Sequence, residues 1–251
     1  ENLYHRPLLL TLVNSVNTSD SDLELFFKEI EKIALGKQLS DDLLKTSIEE
    51  LKNELLSENA KFVFEEAKIN QNFLHILKQI NYSDILKYVF NSDTFGKIEI
   101  LKIPSNKQEL IFKLRTTDKP FALMKIGDIS EWIKNKLSGY EIVERFDNES
   151  IFKNINNSQE INILMGSRSF YEGWDSNRPN IILFINIGKG TDTRKFVLQA
   201  VGRGVRIEPI KNKRKRALFL YNNKELDAQI FNAIKDNIEP LESLFVYGTK
   251  S

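Results

Sequence analysis

Leu8-Leu9-Leu10-Thr11-Leu12-Val13 is a nearly unbroken apolar run that stops at Asn14-Ser15. Such a run fits a strand buried on both faces of a parallel sheet. Thr18-Ser19-Asp20-Ser21 then supplies a helix start, and Leu23, Phe26, Phe27, Ile30, Ile33 and Ala34 recur at helical spacing until Gly36. Together these segments predict one β-α unit.

From Lys37 to about Tyr88 the pattern is helical and charged. Leu44, Ile48, Leu51 and Leu55 mark one amphipathic helix, and Phe73, Ile76, Leu77 and Ile80 mark another. The period then changes to two. Ile98–Ile103 and Leu110–Leu114 flank Pro104-Ser105-Asn106-Lys107 and predict a β-hairpin. Residues 37–116 read as a helical and β-hairpin insertion within the β-α series.

After Pro120 the alternation resumes. Phe121–Ile126 predicts a strand, and Asp128 caps a helix through Trp132, Ile133 and Leu137 that ends at Gly139. Tyr140–Phe146 predicts a strand and Ile151–Ile155 a short helix. Ile161–Met165 and Ile181–Ile187 predict buried strands. Thr191-Asp192-Thr193 starts a helix through Val201, Ala217–Tyr221 predicts a strand, and Leu226, Ile230, Ala233, Ile234 and Ile238 predict a last helix. Leu244–Gly248 shows no closing element. Strands alternating with helices predict an α/β fold, a parallel sheet covered by helices, built from residues 1–36 and 117–251. Ligands of such sheets gather at the carboxyl ends of the strands. That rule puts Asn14-Ser15, Ser167-Arg168 and the segment after Ile187 on one surface.

Composition narrows the chemistry. Of 251 residues, 41% are hydrophobic and 28% charged, which is enough for a packed core. Thirty-six basic residues against 35 acidic ones leave a net charge of +1, so no global bias points to nucleic acid or membrane. Without Cys there is no disulfide scaffold, no thiolate metal site and no cysteine nucleophile. His5 and His75 are too far apart for a His-rich metal site. No metal ligands are therefore assigned. No apolar run approaches the roughly 18 residues of a membrane helix, and no signal peptide is visible. A reducing, cytoplasmic setting without membrane partners is the expectation.

Charge becomes informative along the chain. Lys189 to Arg216 carries ten basic residues against Asp192 and Glu208 alone. A phosphate-binding surface is one reading of such a cluster, and a solvated face is the other. Within it lies Gln199-Ala200-Val201-Gly202-Arg203-Gly204-Val205-Arg206. Phe196, Val197, Ala200 and Val201 form a stripe suited to packing on a sheet. Gln199 and Arg203, four apart, share another face. Gly202 and Gly204 leave the backbone bare around Arg203 and are expected to end the helix. Two guanidinium groups converging there suit bidentate binding of phosphate.

Ser167-Arg168-Ser169-Phe170-Tyr171-Glu172-Gly173-Trp174-Asp175 follows the same logic. Ser167 and Arg168 end a buried strand with groups suited to a phosphodiester backbone. Gly173 permits close approach, and Asp175 can accept hydrogen bonds from ribose hydroxyls. Core packing is one reading of Phe170 and Tyr171, and it is the expected role of Trp174.

The two blocks together resemble motifs V and VI of superfamily 2 helicases. The Glu172-Gly173-Trp174-Asp175 form is most similar to the Res subunits of type III restriction enzymes. Leu8 to Asn17 stands where that family has motif IV. The resemblance implies a RecA-like domain, the second of two that enclose ATP and Mg²⁺. It implies that Arg203 and Arg206 are arginine fingers, with Gln199 near the γ-phosphate and attacking water. It implies that Gly173, Asp175 and Gly202 serve the nucleotide site, and that Asn14, Ser15, Ser167 and Arg168 face the strand backbone of duplex DNA. Ala200 departs from the Arg that many relatives carry there.

The same resemblance implies partners: the first RecA-like domain of the same polypeptide, and in restriction systems a DNA methyltransferase subunit. Neither Gly-x-x-x-x-Gly-Lys-[Ser/Thr] nor an Asp-Glu pair occurs here, so ATP and Mg²⁺ would be bound mainly by that first domain. The chain is expected to be an excerpt of a longer polypeptide and inactive alone. It carries no Asp…Glu-x-Lys nuclease constellation. An RNA helicase, a type I restriction motor and a non-catalytic nucleic-acid-binding module remain alternative readings.

Overall fold

The computed structural model describes residues 6–36, 41–57, 69–145, 149–167, 174–206, 208, 210 and 212–249. β1 (Leu8–Val13) is the buried central strand that the apolar run predicts, and α1 (Asp22–Ala34) follows it. Ser21 caps α1 by accepting from the Glu24 amide, as its place before the apolar periodicity requires. Helices α2 (Asp41–Leu56), α3 (Gln71–Gln79) and α4 (Tyr82–Val89) lead to the hairpin β2 (Ile98–Lys102) and β3 (Glu109–Leu114). Then come β4 (Pro120–Lys125), α5 (Ile129–Lys136) capped by Asp128, β5 (Ile142–Glu144), β6 (Ile163–Ser167) and β7 (Pro179–Ile185). The chain continues through α6 (Thr191–Gly204), α7 (Ala217–Asn222), α8 (Ala228–Ile234) and β8 (Phe245–Gly248).

Among the described residues the eight strands form one sheet in the order β5-β2-β3-β4-β6-β1-β7-β8. β3 runs antiparallel to β2 and β4, and every other adjacent pair is parallel. The fold is therefore α/β with a mostly parallel sheet flanked by helices. The hairpin strands are hydrogen-bonded into this same sheet through β3 and β4, and Leu110, Phe112 and Leu114 share a core with α1, α4 and α5. Side chains alternate between two cores. Val13, Ile163 and Met165 face the core with α1 and α5, while Leu8, Leu10, Leu12 and Leu164 face the one with α6.

Three segments depart from the sequence expectation. Ala217–Tyr221 is α7, a helix in which only Ala217 and Leu220 are buried; a short apolar run does not separate a strand from a helix. Residues 151–157 form successive hydrogen-bonded turns instead of a helix, and they seat Ile155 in the core. Phe245–Gly248 forms an edge strand parallel to β7.

Candidate functional site

At the edge of the sheet where β1 and β7 begin, two distant segments meet. α6 buries Phe196 and Ala200 against the sheet, with Phe196 set edge-on to Phe184 at 6.1 Å. Its far end carries Arg203, whose Nη1 donates to the carbonyl of Trp174. Beyond the helix, Arg206 Nη1 pairs with Asp175 Oδ1. Both groups of that pair remain accessible, with 40% and 57% of their side chains exposed. Gln199 is exposed on α6. Trp174 stacks on Phe152 at 5.6 Å and is buried, which is the core role expected for it.

The helix does not stop at Gly202; it continues to Gly204, and the Val205 amide closes the last turn on Val201. The two glycines differ in kind. A Cβ on Gly204 would lie 2.7 Å from the end of the Leu244 side chain and 3.2 Å from that of Ile182, so both would have to shift to admit one. A Cβ on Gly202 would meet nothing within 4 Å.

Residues given no weight in the sequence hold this edge together. Buried Glu208 accepts from the Asn177 side chain and from the Asn212 amide, tying the segment after α6 to the one before β7. Buried Arg178 donates to the carbonyls of Arg6, Ile155, Ser158 and Ile161, which fixes the starts of β1 and β6 beside it. An acid two residues past an arginine, and an Asn-Arg pair before an apolar run, were the available signals.

The opposite edge carries the second set. Val13 is in register with Ser167 on one side and Ile185 on the other, so Asn14, Ser15, Ser167 and Asn186 share one rim. Six residues of β1 at about 3.3 Å each put this rim roughly 15–20 Å from the arginine pair. Asn14 is exposed there. Ser15 is committed to Asp22: its hydroxyl donates to Oδ2 at 2.7 Å, its amide at 3.1 Å, and the hydroxyl accepts from the Asp22 amide at 2.9 Å. Asn186 donates to the other Asp22 oxygen at 2.7 Å and accepts from Thr249 at 3.2 Å. Burial pushes the Asp22 carboxyl up, but the bonds from Asn186 and Ser15 outweigh it and hold the group below its ordinary value. Arg168 and Gly173 lie outside the described residues.

The predicted residues thus fall into two groups. Asp175, Arg203 and Arg206 meet at one edge, with Gln199 and Gly202 exposed on α6 nearby. Asn14, Ser15 and Ser167 meet at the other. An accessible guanidinium at Arg206, a partly buried one at Arg203 and the Asp175 carboxylate suit a phosphate and a hydroxyl-bearing sugar in chemistry. Among the described residues no group of three or more His, Asp or Glu converges as a metal site. No helix among them is long and apolar enough to cross a membrane. No family model, curated protein or solved structure matches the chain.

Proposed function

We propose that this chain is the second motor domain of an ATP-dependent DNA translocase or helicase, of the kind found in type III restriction Res subunits. One observation carries the reading. The two segments that resemble motifs V and VI, separated by some thirty positions, meet through Arg203 with Trp174 and Arg206 with Asp175. ATP with Mg²⁺, held mainly by a first motor domain, supplies the transferable phosphoryl group. Arg203 and Arg206 then place positive charge where it develops on that group, a role that contributes about 10³–10⁵ in rate. Gln199 orients the attacking water. Asp175 holds Arg206 in place between turnovers and accepts from the ribose. Asn14 and Ser167 face the backbone of duplex DNA at the other rim, which Ser15 braces through Asp22, and the resemblance gives Arg168 the same backbone role. A methyltransferase subunit is the partner in a restriction system, and the cytoplasm is the setting.

The test is ATP hydrolysis by the full natural polypeptide, with and without duplex DNA, beside this chain alone. The reading expects DNA-stimulated turnover in the full polypeptide and none in the chain. Arg203→Ala in the full polypeptide should remove most turnover and spare DNA binding. Turnover within twofold of wild type would overturn the finger assignment, and DNA binding with no turnover in either sample would leave a binding module. Stimulation by RNA in place of duplex DNA would move the protein to the RNA-helicase reading.

A further inference from the structure

α7 is short, and it turns most of its large side chains outward. Ala217 and Leu220 enter a small core with Leu226, while Leu218, Phe219 and Tyr221 remain 57%, 47% and 37% exposed. A helix with this much apolar surface in water is a liability unless something covers it. The charge around it says what does. Lys213, Arg214, Lys215 and Arg216 precede α7 directly. The nearby carboxylates are already engaged: Glu225 pairs with Lys213 at 2.6 Å, Glu242 accepts from the Ala217 amide, and Asp227 caps α8. Arg214 and Lys215 are exposed. The rings are arranged for stacking. Lys215 Nζ sits 5.1 Å from the centroid of Phe219, and Tyr221 lies flat on Phe231 at 4.3 Å and 6°.

We propose that α7 and the basic run before it form a stacking platform for single-stranded nucleic acid. One base continues the Tyr221–Phe231 stack, a second lies on Phe219, and the intervening phosphates lie against Arg214 and Lys215. Flat aromatic faces beside uncompensated cations are the chemistry of sequence-tolerant single-strand binding. Glu208, two residues past Arg206, accepts from the Asn212 amide just before the basic run, which ties the start of the platform to the segment carrying the arginine pair. The inference rests on the nucleic-acid part of the motor reading and is independent of ATP turnover. It favours a strand over an anionic membrane because Tyr221 and Phe231 are already locked in the parallel stack that a base would extend.

The experiment is fluorescence anisotropy of the whole chain with a labelled twelve-nucleotide oligo-dT, with duplex DNA of equal length, and with phosphatidylglycerol vesicles. Phe219→Leu and Tyr221→Leu keep apolar bulk and should each weaken oligo-dT binding by about five- to a hundredfold with an unchanged salt slope. Lys215→Gln should lower that slope by about one. Phe219→Trp should bind as tightly as wild type, with its emission changing at saturation. The proposal is overturned if both Leu variants bind oligo-dT as wild type does. It is overturned equally if the chain binds vesicles through Phe219 and not oligo-dT. Duplex binding that survives such a failure would sink the platform alone, whereas loss of all DNA binding would sink the nucleic-acid part of the motor reading too.

Discussion

Arg206 pairs with Asp175 across 31 positions of sequence, at the edge where β7 begins. Both side chains are substantially exposed, and an exposed pair of this sort contributes at most about 1 kcal/mol. Stability therefore does not account for it. Asp175→Asn should move the unfolding free energy of the chain by less than about 1 kcal/mol in urea. Under the proposed motor reading, the same change in the full polypeptide should cut DNA-stimulated ATP turnover by at least about tenfold, since an arginine finger contributes about 10³ or more. A large loss of stability with normal turnover would make the pair structural.

Gly202 and Gly204 should respond oppositely to alanine. At Gly204 the new methyl group would enter the space of Leu244 and Ile182, and overpacking of this kind costs about 1–3 kcal/mol. At Gly202 nothing obstructs it, and relief from glycine in a helix stabilises by about 0.5–1 kcal/mol. Urea unfolding of both variants checks the contrast. If Gly202→Ala raises stability and lowers turnover in the full motor, the glycine is there for a ligand or a neighbouring domain.

The legibility of this chain follows how local each signal is. The apolar run of β1, the Ser21 and Asp128 caps and the alternating hairpin are properties of adjacent residues, and each element lies where the sequence predicts it. α7 departs from the expected strand because its five apolar residues fit either period, and only tertiary packing reveals that Ala217 and Leu220 alone go inside. The site divides similarly. Arg203 and Arg206 stood out by composition, but their partners lie about thirty residues away. Ser15 was expected to face nucleic acid, yet its hydroxyl is taken by Asp22 and the rim is completed by Asn186 and Thr249. Those bonds join three separate loops, and no spacing rule reaches across them.

Acid should weaken the fold through two carboxylates. Lys136 at 2.6 Å and Lys28 at 2.7 Å hold Glu24 below its ordinary 4.5 against the effect of burial. Asp22 is likewise held below 3.8. A carboxyl that binds protons less readily when folded stabilises the fold above its unfolded value and stops doing so as pH falls through the folded one. Urea midpoints should therefore drop as pH falls below about 4.5. Glu24→Gln should be less stable than wild type at pH 7 and should converge on it near pH 3. A constant gap across that range would show that packing, not charge, gives Glu24 its effect.

Arg178 offers the strongest stability prediction. It is 1% exposed, and the four groups that hold its guanidinium are all main-chain carbonyls: Arg6 at 3.0 Å, Ile155 and Ser158 at 2.8 Å, and Ile161. Burial, with the charge of Arg6, pulls it down to about 10. The planar fork is what joins these carbonyls, since it presents five donors in fixed directions. A lysine offers three donors from one point and cannot span them. The Ile155 and Ser158 carbonyls also accept from the Ser158 and Ile161 amides, so Arg178→Met should leave the Arg6 and Ile161 carbonyls unsatisfied at about 1–3 kcal/mol each, and Arg178→Lys at least one of them. Against a typical domain stability of about 5–15 kcal/mol, the Met variant should be severely weakened and the Lys variant less so. Because Arg178 anchors the chain three residues past Asp175, the proposed motor reading expects Arg178→Lys also to lower turnover in the full polypeptide at temperatures where it remains folded. Equal stability of Arg178→Lys and wild type in urea would show that the Arg6 and Ile161 carbonyls find other donors.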